Sequence, residues 1–407
     1  MANSMKPVDL YSNFNLLIGQ QAGNALASTG LTNAITVGQA AQLYGYETTL
    51  NALSTQLGRT LIAVRPYTGG FGLIEADKNE YGQITRKISY FYDGFEESKE
   101  WNTDVSGAGQ ILKDGATIDH YTIRKRYPME INFGGLKVLT KSWTRFLSQL
   151  KVAFRSREEF DRFYRGEAVE IANEIQMMKE AENRMLVLNA IAATYNTGKA
   201  GQKVNLTKAY NTKFGTTYTT AQLLTTHLKE LTEFFVSTFK FTSDMLTKNS
   251  DLYHLTPVKT NDSGETLKLY RHTPKSEQRF MMASSVWYDA QSMVMPEIFN
   301  DDYLQIGQAE MIPYWQSPSD PLAINVTPNQ FDETTGLSKD GKAVSKPKII
   351  ALLYDRPALV TNYRQEEVLT TPVNAKGVYY NTVHHWAKDY QYDATENMVL
   401  FYMEDEA

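Results

Sequence analysis

The sequence has 407 residues, of which 42% are hydrophobic and 21% charged, and its formal net charge is −5 at pH 7. This composition excludes wholesale disorder and predicts a sizeable core in about two or three lobes. The lack of cysteine excludes disulfides and cysteine nucleophiles, and the negative charge argues against a dedicated nucleic-acid-binding protein with a clustered basic surface. No run reaches the roughly 20 apolar residues of a membrane helix and the start of the chain has no leader pattern, so we expect a protein without a membrane partner that stays inside the cell that makes it.

An extended arm is predicted at the start of the chain. Residues 1–58 contain only three charged residues, which are Lys6, Asp9 and Glu47. Leucines at helical spacing predict a short helix within 38–58. The rest of the segment has too little hydrophobic content for a core of its own, so we expect the arm to lie on another surface.

A long polar hairpin is predicted next. Residues 82–94 and 118–133 alternate as strands do; in the first strand one face has Ile84, Arg86, Ile88 and Tyr90 and the other has Thr85, Lys87 and Ser89. Two long strands with few apolar residues make a poor free-standing core. We therefore expect this hairpin to project and to pack on a partner.

The strongest predicted element is a helix over about 157–196. Ser156 and Glu159 form a capping box at its start, and Gly198 ends it. Apolar residues recur every three or four positions, and at 1.5 Å per residue the helix is roughly 45–60 Å long. Its second half is apolar on nearly all sides, which predicts burial. Three methionines of this stripe are expected to pack in the core: Met177, Met178 and Met185.

The remainder of the chain mixes helix and strand. An amphipathic helix is predicted over 221–239, and a hairpin excursion over 251–275. Antiparallel strands are predicted over 348–354, 358–363, 378–392 and 398–403. Helices followed by antiparallel strands indicate an α+β fold.

The stretch "VYYNTVHHWAKDY" places His384 and His385 side by side in a predicted strand. Neighbours in a strand point to opposite faces, so the two imidazoles diverge and cannot bind one metal ion together. His385 shares a face with Asp389, but too far along the strand for direct contact. The other four histidines lack ligand spacing, and His227 is expected to be a hydrogen-bonded core residue on the apolar side of a helix.

No other pattern predicts catalysis. The glycines of "TGGFG" lack the following Lys-Ser/Thr of a phosphate loop, and there is no G-x-S-x-G elbow. Carboxylate doublets occur, but the sequence places no acid–base partner beside them. We therefore expect no catalytic residue, no cofactor-binding residue, no metal ligand and no enzyme activity.

The order of the elements is uncharged arm, projecting hairpin, one very long helix, α/β lobe and terminal antiparallel strands. This order resembles the major capsid protein of tailed bacteriophages, which has the Hong Kong 97 fold. The resemblance rests on the helix at about 157–196, the hairpin at 82–133 and the ending "TTPVNAKGVYYNTVHHWAKDYQYDATENMVLFY". That ending is similar to the closing segment of capsid proteins from small short-tailed phages of Gram-positive hosts.

The resemblance implies a division of the chain into named parts. These are an N-terminal arm (1–58), a peripheral or P-domain (59–81 and 134–200, with the spine helix), an extended E-loop hairpin (82–133), an axial or A-domain (201–355) and C-terminal strands shared by both domains (356–407).

The resemblance also implies partners. The chain would assemble with itself, as pentamers and hexamers, into an icosahedral or prolate shell around double-stranded DNA. The shell would form in the host cytoplasm and become the virion capsid. A separate scaffolding protein is expected because residues 1–58 are nearly uncharged, together with a portal protein and weak, non-specific contact with the packaged DNA.

Opposite charges on the predicted hairpin suggest where neighbouring copies meet. We expect salt bridges between subunits from acidic residues near the tip and basic residues on the return strand: Asp93, Glu96, Glu97 and Glu100, with Arg124, Lys125 and Arg126. The competing interpretation is that these are solvated surface charges, since many exposed pairs contribute little.

Two alternatives remain open at this point. An encapsulin-like compartment shell shares the same fold and differs in enclosing a cargo enzyme. A metal-dependent hydrolase would use His384 or His385 with Asp301 or Asp302, although their spacing does not favour it.

Overall fold

The structure is a computed structural model. It describes residues 65–76, 84–94, 121, 125–134, 137–146, 157–261, 264–293, 308–346 and 348–405. The predicted arm, the helix within 38–58 and the Ser156 cap therefore lie outside the described residues.

Helices and strands alternate along the described part of the chain. The helices are α1 (Arg157–Thr197), α2 (Leu206–Phe214), α3 (Thr220–Thr225), α4 (Leu228–Leu246) and α5 (Ser284–Met293). The strands are β1 (Glu75–Ala76), β2 (Ile84–Tyr90), β3 (Pro128–Gly134), β4 (Lys137–Phe146), β5 (Lys203–Asn205), β6 (Gln278–Ala283), β7 (Gln308–Ile312), β8 (Ile324–Val326), β9 (Asn329–Phe331), β10 (Ser338–Asp340), β11 (Val344–Lys346), β12 (Ile349–Asp355), β13 (Leu359–Thr370), β14 (Tyr379–Tyr392) and β15 (Met398–Tyr402).

The chain divides into two compact units. The first consists of Met1–Thr68, Thr144–Gln176 and Thr371–Asn381, and the second of Gly69–Trp143, Met177–Thr370 and Thr382–Ala407.

Polar side-chain contacts connect the segments of the first unit. The Thr144 hydroxyl donates to Asn381 Oδ1 at 2.7 Å, and Arg145 pairs with Glu167 at 3.1 Å. The backbone N–H of Tyr67 donates to Asn173 Oδ1 at 2.8 Å. This unit therefore joins one end of β4 to the first half of α1 through specific hydrogen bonds.

A five-stranded sheet lies at the centre of the second unit, in the order β5-β15-β12-β6-β7. All seven residues of β12 are buried, as expected for a strand covered on both faces. One face packs on Leu186, Val187 and Ile191 from the second half of α1. The other packs on aromatic residues of α4 such as Phe235 and Phe239. The result is a mixed α/β architecture with helices on both faces of the sheet.

A second sheet has the order β1-β13-β14-β4. β13 and β14 pair antiparallel over most of their length, with an irregularity between Tyr363 and Gln365. The four predicted C-terminal strands are thus confirmed as strands, and they divide between the two sheets: β12 and β15 belong to the first, β13 and β14 to the second.

The long helix is confirmed at Arg157–Thr197, but the prediction for two of its methionines is wrong. Met177 and Met185 are 61% and 55% exposed. Because Leu186, Val187 and other neighbours already form the face toward the sheet, these two methionines lie on the opposite side of the helix.

The helix predicted over 221–239 is interrupted. α3 ends at Thr225 and α4 begins at Leu228, with His227 between them. The Thr225 hydroxyl bonds back to the carbonyl of Ala221 at 2.8 Å, and threonine has a low helix propensity, so the break falls at the Thr225–Thr226 pair.

The predicted excursion over 251–275 is confirmed as a paired loop. Isolated antiparallel bridges join Ser250 to Arg271 and Thr260 to Thr266.

Candidate assembly surface

The two strands of the hairpin have opposite polarity patterns. β2 pairs antiparallel with β3, so that Ile88 lies opposite Glu130 and Ser89 opposite Met129. In β2 the apolar residues and Arg86 face solvent while the other polar residues face the chain; in β3 Met129 is buried and Glu130 exposed. One face of the hairpin therefore exposes the apolar residues of β2 and Arg86 beside Glu130 and Asn132 of β3.

Three large apolar side chains of β2 lie on this outward face. Ile84, Ile88 and Tyr90 are 60%, 50% and 62% exposed. Between them, Arg86 pairs with Glu130 across the strands at 2.7 Å. The hydrogen bond from Arg86 holds the pKa of the Glu130 carboxyl below its usual value. Large apolar side chains exposed next to one another on one face mark a candidate protein–protein contact.

The inward face anchors the hairpin on its own chain. Met129 packs with Phe91, Leu267 and Leu269 in a small buried cluster. The backbone N–H of Tyr92 donates to the carbonyl of Lys268 at 2.8 Å. The outward residues are thus presented on a fixed support.

Lys87 is the charged residue on the inward side of β2. Its ammonium contacts the carboxylates of Asp393 and Glu396 and lies 3.3 Å from the Thr395 hydroxyl. The hydrogen bond between Arg271 Nη2 and Ser89 Oγ, at 2.7 Å, adds a second polar link. The sequence patterns did not predict this site; the signal available for it was a lysine between Thr85 and Ser89 on the polar side of the alternation.

Only some of the residues predicted to form salt bridges between subunits belong to the described part of the chain. Asp93, Lys125 and Arg126 are exposed. Within the described ranges these three make no ion pair with their own chain. Glu96, Glu97, Glu100 and Arg124 lie outside the described residues, so their predicted contacts remain predictions.

A family model matches this chain over residues 17–402. It is the model of the Phi29-like phage major capsid protein. The chain belongs to this family. It is therefore a phage major capsid protein and a component of the virion capsid. No curated protein matches the sequence.

Solved structures show that this capsid protein has a phage capsid fold. A chain of the capsid structure of Staphylococcus phage Andhra aligns with a TM-score of 0.54 at 10% identity, covering 85% of this chain and 87% of that one. A chain in the structure of the head fiber and inner core protein gp22 of native bacteriophage P68 aligns with the same TM-score, identity and coverage. In the part of the capsid protein that the structure describes, no helix is long and apolar enough to cross a membrane.

The histidine doublet of the capsid protein has the predicted geometry. His384 is 5% exposed, while His385 on the other face is half-buried. His384 Nε2 lies 3.1 Å from Glu366 Oε1 on the neighbouring strand, and His385 lies directly opposite Glu367. Among the described residues no group of three side chains is placed to hold a metal ion. Asp301 and Asp302, the carboxylates of the hydrolase alternative, lie outside those residues.

The prediction for His227 is wrong. It is partly exposed at the start of α4, where its ring stacks on Tyr218 with centroids 4.1 Å apart. Among the described residues, His254 is completely buried instead. The break between α3 and α4 turns His227 away from the core, which a single-helix interpretation could not show.

Proposed function

We propose that this capsid protein assembles through the outward face of its β2–β3 hairpin, which docks on a neighbouring copy. The observation that carries the proposal is the exposure of Ile84, Ile88 and Tyr90 on a hairpin whose other face is anchored. An unassembled subunit gains nothing from showing these side chains to water, whereas burying them between subunits is favourable. Repeated heterologous contacts that close into pentamers and hexamers build a shell, and the many weak contacts stabilise one another.

The proposal includes the Hong Kong 97 arrangement of parts. The hairpin within 82–133 would be the E-loop, α1 the spine helix of the P-domain, and the segment 201–355 the A-domain. The chain order supports this, since the β2–β3 pair precedes α1 and the helices α2–α4 follow it. Residues 1–58 would be the arm, and 356–407 the strands shared by both domains.

The proposed partners are those that a closed capsid shell would require. The shell would enclose double-stranded DNA, which meets an acidic chain of net charge −5 only by weak and non-specific contact. A separate scaffolding protein and a portal protein complete the set. We propose a structural role without catalysis; a compartment shell would require a cargo enzyme, and nothing in the described part of the chain favours one.

The test is negative-stain microscopy of the purified protein, alone and with a candidate scaffold. We expect closed shells from the wild type. The double variant Ile84→Ser with Ile88→Ser should remain a folded subunit without shells. Leu337→Ser removes a side chain that is even more exposed, at 69%, from the β9–β10 turn and should assemble normally. Shells from the double variant would refute the docking face, and only small particles from the wild type under both conditions would refute self-assembly.

A further inference from the structure

The inward face of β2 contains a charge that its own sequence context does not explain. Lys87 lies between Thr85 and Ser89, and its side chain is only 18% exposed. A buried ammonium is costly unless it is paired and hydrogen-bonded. Its partners come from the turn between β14 and β15, more than 300 residues further along the chain.

The two carboxylates that receive Lys87 are buried and already held in place. The side chains of Asp393 and Glu396 are 1% and 8% exposed. Asp393 Oδ1 accepts from the Thr395 backbone N–H at 2.9 Å and from its hydroxyl at 2.7 Å. The backbone N–H of Asp393 donates to the carbonyl of Ala358 at 2.8 Å. This turn therefore forms a preorganised acidic clamp, by which we mean Asp393 and Glu396.

Arg271 is the second cation of this site. Its Nε lies 3.6 Å from Glu396 Oε2 and donates to the carbonyl of Thr395 at 3.2 Å. Its Nη2 donates to Ser89 on β2. Two successive inward positions of β2, Lys87 and Ser89, are thus tied to the same turn, one directly and one through Arg271.

The contact between Lys87 and the acidic clamp determines which face of β2 points outward, because of the geometry of a strand. Successive side chains of a strand point to opposite faces, so a shift by one residue moves every side chain to the other face. By hydrophobicity alone β2 would turn Ile84, Ile88 and Tyr90 toward its own chain. With Lys87 in the acidic clamp, those three side chains point outward.

We infer that Lys87 is a positioning residue for assembly: its engagement by Asp393 and Glu396 fixes which face of β2 is offered to a second copy of this chain. This inference rests on the proposed docking function, because the face that Lys87 orients is the docking face. A merely structural ion pair would stabilise the subunit without controlling the order of β2. The two roles therefore predict different effects of losing Lys87. A structural ion pair would change only the stability of the subunit, whereas a positioning residue would also change the order of β2 and the formation of shells.

The test compares backbone hydrogen exchange in unassembled subunits with shell formation. Lys87→Met alone leaves Arg271 as the one cation for two buried carboxylates, so the decisive variant combines it with Asp393→Asn, which leaves Glu396 to pair with Arg271 and restores charge balance. In this Lys87→Met/Asp393→Asn variant we expect the exchange of β2 amides to rise about tenfold or more while β12 stays protected, and we expect shells to be lost. Lys87→Arg alone, with both carboxylates intact, should keep the protection of β2 and the formation of shells. Lys275→Met, which removes a partly exposed lysine paired with Asp244 at 2.7 Å, should change neither.

Each outcome of this experiment tests a different part of the inference. Unchanged exchange in β2 of the Lys87→Met/Asp393→Asn variant would overturn the clamp. Raised exchange with normal shells would overturn the positioning role and leave the proposed function intact. A wild type that forms no shells would refute the proposed function, while the exchange data would still test the clamp by themselves.

Discussion

His254 and Asp355 lie at the two ends of one buried chain of hydrogen-bonding groups. Asn397 Oδ1 lies 3.2 Å from His254 Nδ1, and Asn397 Nδ2 donates to the Thr273 hydroxyl at 3.1 Å. The Thr273 hydroxyl in turn donates to Asp355 Oδ2 at 2.7 Å. His254 Nε2 donates to the carbonyl of Leu269 at 3.0 Å, so the chain also reaches the cluster beneath the hairpin.

Burial shifts the pKa values of His254 and Asp355 in opposite directions. It lowers the pKa of His254 to about 4 from its usual 6.5, although the hydrogen bonds to Asn397 and Leu269 act to raise this pKa. It raises the pKa of Asp355 to about 6 from its usual 3.8, with the charges of Glu396 and Glu277 adding to the effect. Both groups are therefore held in their neutral form more strongly in the folded state than in the unfolded one.

The first prediction concerns His254. A base with a depressed pKa contributes stability above its unfolded pKa of 6.5 that is lost as pH falls toward the folded value of about 4. Asp355 has the opposite sign, because stability from a raised carboxyl pKa is present below 3.8 and is lost as pH rises through about 6. The contribution of His254 is isolated by comparing Asp355→Asn with the double variant that also carries His254→Gln, because the other titrating groups are the same in both. Between pH 6.5 and 4 we expect the free energy of unfolding of Asp355→Asn to fall by about 3 kcal/mol relative to that double variant. Urea unfolding at a series of pH values checks this, and parallel profiles of the two variants would contradict it.

The second prediction is the reciprocal experiment. Relative to the same double variant, we expect the free energy of unfolding of His254→Gln to decrease by about 3 kcal/mol as pH rises from 4 to 6. The slope of the wild type should lie between those of the two single variants, because the two contributions oppose each other. Equal slopes in the wild type and in both variants would show that neither group titrates as stated.

The third prediction concerns the buried ion pair between β13 and β14. Arg364 Nη2 lies 2.7 Å from Asp389 Oδ2, and both side chains are almost fully buried. Arg364 sits at the irregularity in strand pairing between Tyr363 and Gln365. Arg364→Met leaves Asp389 buried without this partner, so we expect a loss of about 3–5 kcal/mol in the free energy of unfolding. The control Lys275→Met breaks an exposed pair and should cost less than about 1 kcal/mol, measured by the same denaturant titration.

The fourth prediction concerns the hairpin charges. We expect Arg124→Glu combined with Arg126→Glu to block shell formation, because the return strand would then repel the acidic residues that we place near the hairpin tip of the adjoining copy. The subunit should melt at the wild-type temperature, since Arg126 is exposed and makes no ion pair within the described part of its own chain. Microscopy and a thermal melt of the same preparation check both statements, and normal shells would refute the salt bridges.

The sequence by itself determined the elements whose signal is local. The apolar repeat every three or four residues predicted α1 almost to its ends, because a helix face is defined by neighbours one turn away. Alternation predicted the β2–β3 hairpin, and it predicted the divergence of His384 and His385, which follows from strand geometry alone. The spacing of the histidines likewise argued against a shared metal ion.

Only the tertiary structure decided which side of each element is buried. The alternation of β2 is the same whether Ile88 or Lys87 faces the chain, and the choice depends on Asp393 and Glu396, more than 300 residues away. The same holds for Met185. Other apolar residues of α1 already form the side of the helix that packs on the core, so Met185 lies on the exposed side. The period of a pattern is encoded within one element, whereas the partner that buries one of its faces is supplied by distant parts of the chain, which no local pattern specifies.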